Sequence, residues 1–330
     1  MAKPKIPNQK AKYKALNARL NKYTLFAQAA VATFITEAVN SLYMVDYDGT
    51  EAFSFDSNPV TKGQLAEKRS NFITRMFGLF LTGTAFEWAE SNKVQDTVTD
   101  KVLSAYGGKK VDKWYQDNND KLTAFQSRVY SGRTTYDRFG EIAVTMQHEV
   151  ETAISVYGSQ PVPIVQTKVE QYFSDVDSLR KDFKQKFGYE PQVHDSQYQA
   201  ARLLRSEINM AYRTAEQERW KQMDFVVGYE IKLSATHQDR MPHGDICDIL
   251  AGKYPKEFYW TGWHVGDLCY AIPILKTEDE FFNDLPSKNE VTDVPVAVKQ
   301  WIDEHQEYVT KAKANNTLPY WINDNAIFLQ

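Results

Sequence analysis

Cysteine is nearly absent, with only Cys247 and Cys269 in 330 residues. Two cysteines make no disulfide framework, and the default is folding in a reducing compartment such as a cytoplasm. Long hydrophobic runs are missing as well. The most apolar early stretch, residues 24–36, is too short to span a bilayer and contains Gln28, so neither a membrane partner nor a secretory leader is expected. Positive charge is not in surplus: 39 Lys and Arg face 43 Asp and Glu, a net charge of −4, which argues against a bulk nucleic-acid binder. No phosphate-cradling glycine loop, internal repeat or low-complexity tract occurs. The pair His148-Glu149 is followed by Thr152 where a zincin needs its second histidine, so that motif is missing. The stretch DYDGTEAFSFD, which starts at Asp46, lacks the ligand order of an EF-hand.

What is present is a soluble globular composition, 42% apolar and 25% charged, long enough for two or three units. Residues 226–275 are its centre. They hold both cysteines, His237, His243, His264 and the aromatic run Phe258-Tyr259-Trp260-Thr261-Gly262-Trp263. Val227, Tyr229, Ile231 and Leu233 alternate with polar or small residues, as do Leu268, Tyr270, Ile272 and Ile274. Period two predicts a half-buried strand at each end. Antiparallel pairing would bring His237, His243, Cys247, His264 and Cys269 to one end of the ribbon.

Elsewhere the periodicity is helical. Leu16, Leu20, Tyr23, Ala27, Ala30 and Val31 recur at threes and fours from about Gln9, after Pro4 and Pro7 keep the start extended. Residues 1–36 contain no acidic residue but carry Lys3, Lys5, Lys10, Lys12, Lys14, Arg19 and Lys22. They read as a solvated arm or as a contact for DNA or an acidic partner. A helix over residues 64–103 should be buried on most sides at its centre, MFGLFLTGTAFEWA, before Gly107-Gly108-Lys109-Lys110 breaks it. Two helices are expected over 118–157, a short one from Ile164 to Phe173, and a linking loop over 177–196. The most amphipathic helix follows, over 196–224. Beside its apolar stripe runs a polar one, Arg202, Asn209, Arg213, Glu216 and Trp220, either solvated or facing a partner. An acidic loop over 278–284 and a helix over 295–314 come next. The tail Leu318-Pro319-Tyr320-Trp321-Ile322 is too apolar to dangle and should dock. The expected fold is α+β and mostly α-helical, in four segments: 1–115, 116–195, 196–285 and 286–330.

Over residues 122–325 the chain resembles the phage Mu F-like minor head proteins, the phage head-morphogenesis family, of the type found in Bacteroidetes phages and prophages. The resemblance is densest in ARLLRSEINMAYRTAEQERW, GYEIKLSA, DICDILAGKYPKEFYWTGWH and Cys269 before AIPIL. Arg205, Ser206 and Glu207 fall at the family's helix signature. Cys247 falls at the second position of its Cys-x-x-Cys, and His264 and Cys269 at the ends of its closing motif. Gly244 and Asp267 stand where two further cysteines would be, so four thiolates are impossible. His243, Cys247, His264 and Cys269 could still close a tetrahedral structural zinc site, with Asp239, Asp245 and Asp267 in reserve. Preferred to that site is the reading of both cysteines as small core residues, with His264 hydrogen-bonded at the module's edge and Trp260 and Trp263 as core aromatics. A Cys247–Cys269 disulfide ranks below both.

The resemblance implies a non-enzymatic component of the virion, assembled in the host cytoplasm. Its implied partners are the portal or capsid proteins, and its location is the portal region or the head interior. Arg202, Arg213, Trp220, Tyr320 and Trp321 are the expected contact residues. The alternatives are a packaged, DNA-associated ejection protein using the basic N-terminal arm, and a metal-dependent hydrolase or nuclease built on the His/Cys cluster.

Overall fold

Apolar residues at spacings of three and four dominate this chain, and helix dominates its structure. The computed structural model describes residues 8–41, 47–106, 117–173, 175–191 and 193–329. The readings of Lys3, Pro4, Lys5, Pro7, Asp46 and Gly107-Gly108-Lys109-Lys110 lie outside the described residues. Thirteen α-helices and one three-stranded sheet are found among the described residues, the mostly helical α+β architecture expected. The compact units do not follow the four sequential segments. One unit takes residues 1–20, 82–132 and 206–330, and the other takes 21–81 and 133–205. Three helices, α1 (Gln9–Asn40), α2 (Pro59–Ala105) and α7 (Ser196–Lys221), contribute residues to both.

The second unit is all helical. Helix α4 (Thr135–Tyr157) starts where Thr134 and Asp137 form a capping box, and it buries Phe139, Ile142, Met146 and Val150. Phe34 of α1 and Phe72 of α2 pack at 5.9 Å between ring centroids. Helix α3 (Asn119–Gln126) belongs to the other unit and α5 (Val162–Phe173) to this one, both near their expected places. The segment read as a linking loop is in fact helix α6 (Val176–Phe187). Asp175 accepts the Ser178 N–H at its start, Gly188 ends it, and Leu179 and Phe183 are buried one turn apart. Charge hid an amphipathic helix there. Glu149 of α4 is fully buried and accepts both the backbone N–H of Ser196, at 2.9 Å, and the Ser196 hydroxyl. A side chain from α4 thus caps α7.

The first unit holds the sheet. Strand β1 (Val226–Lys232) lies centrally between β2 (Gly252–Tyr254) and β3 (Tyr270–Leu275), both antiparallel to it. Lys232 pairs with Tyr270, so β1 ends beside the start of β3, as the alternation predicts. Strand β2 was not expected, since three residues show no period. Trp220, Tyr229, Tyr254, Phe258, Trp260, Trp263 and Trp321 form the centre of this unit's core.

Three further expectations change. The centre of α2 buries one face only, with Phe80 and Trp88 inside while Phe86 is half exposed. Residues 278–284 are not a loop, because Thr277 and Glu280 form a capping box that starts helix α10 (Glu278–Phe282). The helix over 295–314 is two, α11 (Val296–Glu304) and α12 (Gln306–Ala314), parted at His305. The basic N-terminal helix is only partly solvated. Lys12 pairs with buried Glu216, which also accepts the Tyr13 hydroxyl at 2.5 Å and the Gln95 amide at 2.8 Å. Arg19 grips Glu87 through two hydrogen bonds of 2.7 Å. Two of the cations cast as DNA contacts are therefore held by carboxylates, while Lys10, Lys14 and Lys22 are exposed.

Candidate functional site

The aromatic run crosses the core as irregular backbone, and buried irregular backbone needs partners for its carbonyls. Four successive carbonyls find them in side chains. The Tyr229 hydroxyl donates to Phe258 O at 2.5 Å, and Asn325 Nδ2 to Tyr259 O at 2.6 Å. Gln217 Nε2 donates to Trp260 O, and Arg213 Nη1 to Thr261 O at 2.8 Å. Arg213 Nη2 extends this to Asp267 O at 3.0 Å and Cys269 O at 2.7 Å, while the guanidinium lies 4.3 Å from the Trp260 ring centroid. Asp267, fully buried, receives the N–H groups of Trp263 (2.8 Å) and Cys269 (2.6 Å) and stands 3.7 Å from Arg213. Burial pushes its carboxyl up, but Arg213 and those two N–H groups outweigh burial and leave it below the usual range.

This frame corrects the expected contact surface. Arg213 is 2% exposed and Trp220 and Trp321 are 1% exposed, so these three cannot reach a partner. Trp220 Nε1 donates to Gln95 Oε1 at 2.9 Å, and Trp321 packs edge-on against Trp263 and Trp301. Tyr320 stacks on Tyr130 at 4.2 Å, which docks the tail as predicted. Arg202 is exposed. Glu207, in the helix signature, pairs with Arg128 at 2.6 Å.

Gly262 sits against the guanidinium with φ +134°, and a Cβ there would fall 2.5 Å from Arg213 Nη1. Gly262→Ala should therefore destabilise the protein by about 2–4 kcal/mol in denaturant unfolding. A variant within 0.5 kcal/mol of wild type by that measurement would contradict this packing.

Beside this frame lie the histidines and cysteines. After β1 come the short helices α8 (His237–Arg240) and α9 (Ile246–Leu250), joined by a turn in which Gly244 has φ +74°. That left-handed conformation suits glycine, and it delivers the next residue, Asp245, as the cap of α9. Asp245 Oδ1 accepts the Cys247 N–H at 2.7 Å, and its own N–H donates to Asp248 Oδ2 at 2.7 Å. Asp248 Oδ2 in turn accepts from His237 Nε2 at 2.8 Å. On the other oxygen, Asp245 Oδ2 lies 3.3 Å from His264 Nε2, which lies 3.2 Å from Cys247 Sγ. Cys269 is buried, with its sulfur within 4.8 Å of that of Cys247. Its hydrogen bond to Cys247, then burial, then the charges of Asp267 and Asp245, push the Cys247 thiol up.

The structure thus brings Cys247, His264 and Cys269 together, as the spacing suggested, but leaves His243 out. His243 is exposed and joins none of the metal-capable groups found among the described residues, because the turn at Gly244 puts Asp245 in its place. The groups are Asp245, Cys247 and His264; Cys247, Asp267 and Cys269; and His237, Asp245 and Asp248. Asp239 is in none of them. The signal for Asp245 was there in Asp245 and Asp248, spaced as a capping box ahead of an apolar turn. Compared with family models, curated proteins and solved structures, the chain matches none.

Proposed function

We propose that this chain is a structural minor head protein of a phage, acting by complementary surfaces during capsid assembly at the portal or head interior. The observation that carries this reading is how the stretch with the head-morphogenesis resemblance folds. Residues 206–275 lie within one unit, where the chemistry-bearing side chains of α7 hold the backbone of the aromatic run. Arg213 and Gln217 serve rigidity there. A rigid α+β piece presented on helices suits a protein that recognises a partner by shape. No helix among the described residues is long and apolar enough to cross a membrane. A packaged, DNA-bound role would draw on Lys10, Lys14 and Lys22, since Lys12 and Arg19 are engaged by Glu216 and Glu87.

Quantitative mass spectrometry of purified virions and empty procapsids from the producing phage tests the proposal. The expected result is a small, fixed copy number in both particles, far below that of the major capsid subunit. Enrichment in DNA-filled heads alone would favour the ejection role. Absence from every particle would end both.

A further inference from the structure

We propose that Asp245, Cys247 and His264 form a three-ligand site for a thiophilic divalent cation, Zn2+. The inference is independent of the head-protein reading. It starts from an electrostatic conflict at His264. The ring atom Nδ1 faces the Val265 carbonyl at 2.9 Å, and a carbonyl only accepts, so Nδ1 carries the ring proton. The other ring nitrogen, Nε2, faces Asp245 Oδ2, an acceptor, 3.3 Å away. Two acceptors at that distance need a cation or a second proton between them. The third neighbour, Cys247 Sγ at 3.2 Å from Nε2, decides for a metal, because a thiolate, an imidazole and a carboxylate are a zinc donor set.

The spacings fit. Zinc bonds of about 2.3 Å to sulfur and 2.05 Å to nitrogen or oxygen, at tetrahedral angles, place S and N about 3.6 Å apart and N and O about 3.3 Å apart. The observed separations are 3.2 Å and 3.3 Å. Each ligand is also braced. His264 donates its other ring N–H to a backbone carbonyl, Asp245 is fixed as the α9 cap, and Asp248 with His237 fixes the residue that bears it. Cys269 is placed as a hydrogen-bond partner of the Cys247 sulfur, not as a ligand: it shares a group with Cys247 and Asp267, not with His264. His264 is 38% exposed at its side chain, so the fourth position faces solvent. The bound ion would tie the loop that follows the aromatic run to the start of α9.

The test is metal titration of the full chain, purified without a histidine tag and stripped with chelator, using Zn2+ for stoichiometry and Co2+ for its thiolate charge-transfer band. Circular dichroism confirms that each variant is folded. One ion per chain is expected for wild type, His243→Ala and Cys269→Ser, with the Co2+ band of one thiolate unchanged by Cys269→Ser. Cys247→Ser and His264→Ala should bind at least about 100-fold more weakly, and Asp248→Asn about 10-fold more weakly. Folded wild type that takes up no ion at micromolar free Zn2+ would overturn the proposal. So would a His243→Ala defect equal to that of His264→Ala, or a Co2+ band halved by Cys269→Ser.

Discussion

Arg213→Ala is expected to destabilise the protein by about 3–5 kcal/mol, the cost of breaking a buried ion pair and leaving its partner uncompensated. The guanidinium donates to Thr261 O, Asp267 O and Cys269 O, and it stacks on Trp260. Its loss strands the carbonyls of Thr261 and Cys269 and leaves the Asp267 carboxylate without its counter-charge, while Asp267 O keeps only Asn209 Nδ2, at 3.2 Å. Arg213→Lys should recover little, because one ammonium cannot reproduce a planar fork that reaches carbonyls on both sides of the Gly262 turn. Urea unfolding followed by tryptophan fluorescence reads the result, since Trp260 and Trp263 lie in the same frame. A loss below about 1 kcal/mol, the range of a surface change, would mean that the frame stands without Arg213.

The second large effect is a fall in stability as pH rises from mildly acidic to about 8. Glu149 is buried, and burial outweighs the donors of Ser196, so its carboxyl is pushed up to about 8. The unfolded chain loses that proton near an ordinary glutamate value while the folded chain keeps it. Folded protein therefore binds more protons between about pH 4.5 and 8, and stability falls with rising pH across that window. The stabilising share of Glu149 is fully present below the unfolded value and lost as pH passes about 8, a drop of roughly 5 kcal/mol. Glu149→Gln keeps an oxygen for the Ser196 N–H and cannot ionise. It should remove most of the slope and be the more stable protein at pH 9. Parallel pH profiles for both chains by denaturant midpoint would refute this assignment.

The residues that announced themselves did so through local pattern. Tyr229 and Ile231 in one run and Tyr270, Ile272 and Ile274 in the other announced the β1–β3 pair, because period two needs no knowledge of the rest of the chain, although the residues of β3 that are buried are Ala271 and Pro273. The buried polar side chains were misread for the opposite reason. Arg213 and Glu216 look solvated at helical spacing, and only carbonyls about 50 residues downstream and a lysine about 200 residues upstream show that they are internal. In α6 the charges outnumbered Leu179 and Phe183, although Asp175 and Gly188 marked both ends. At the cluster, one backbone angle at Gly244 decided which neighbour reached His264, and side-chain chemistry alone could not reveal it.

Chain order adds a constraint on synthesis. The unit made of residues 21–81 and 133–205 is complete once Arg205 has been made. The other unit opens with residues 1–20, and Tyr13 must wait for Glu216, 203 positions later, before its hydroxyl finds a partner. The nested unit can fold on the ribosome first, while Leu16 and Leu20 at the emerging end lack the core that finally buries them. A nascent chain arrested once Arg205 has cleared the ribosome should therefore carry one protease-resistant unit and a sticky leading helix, a natural client for a chaperone.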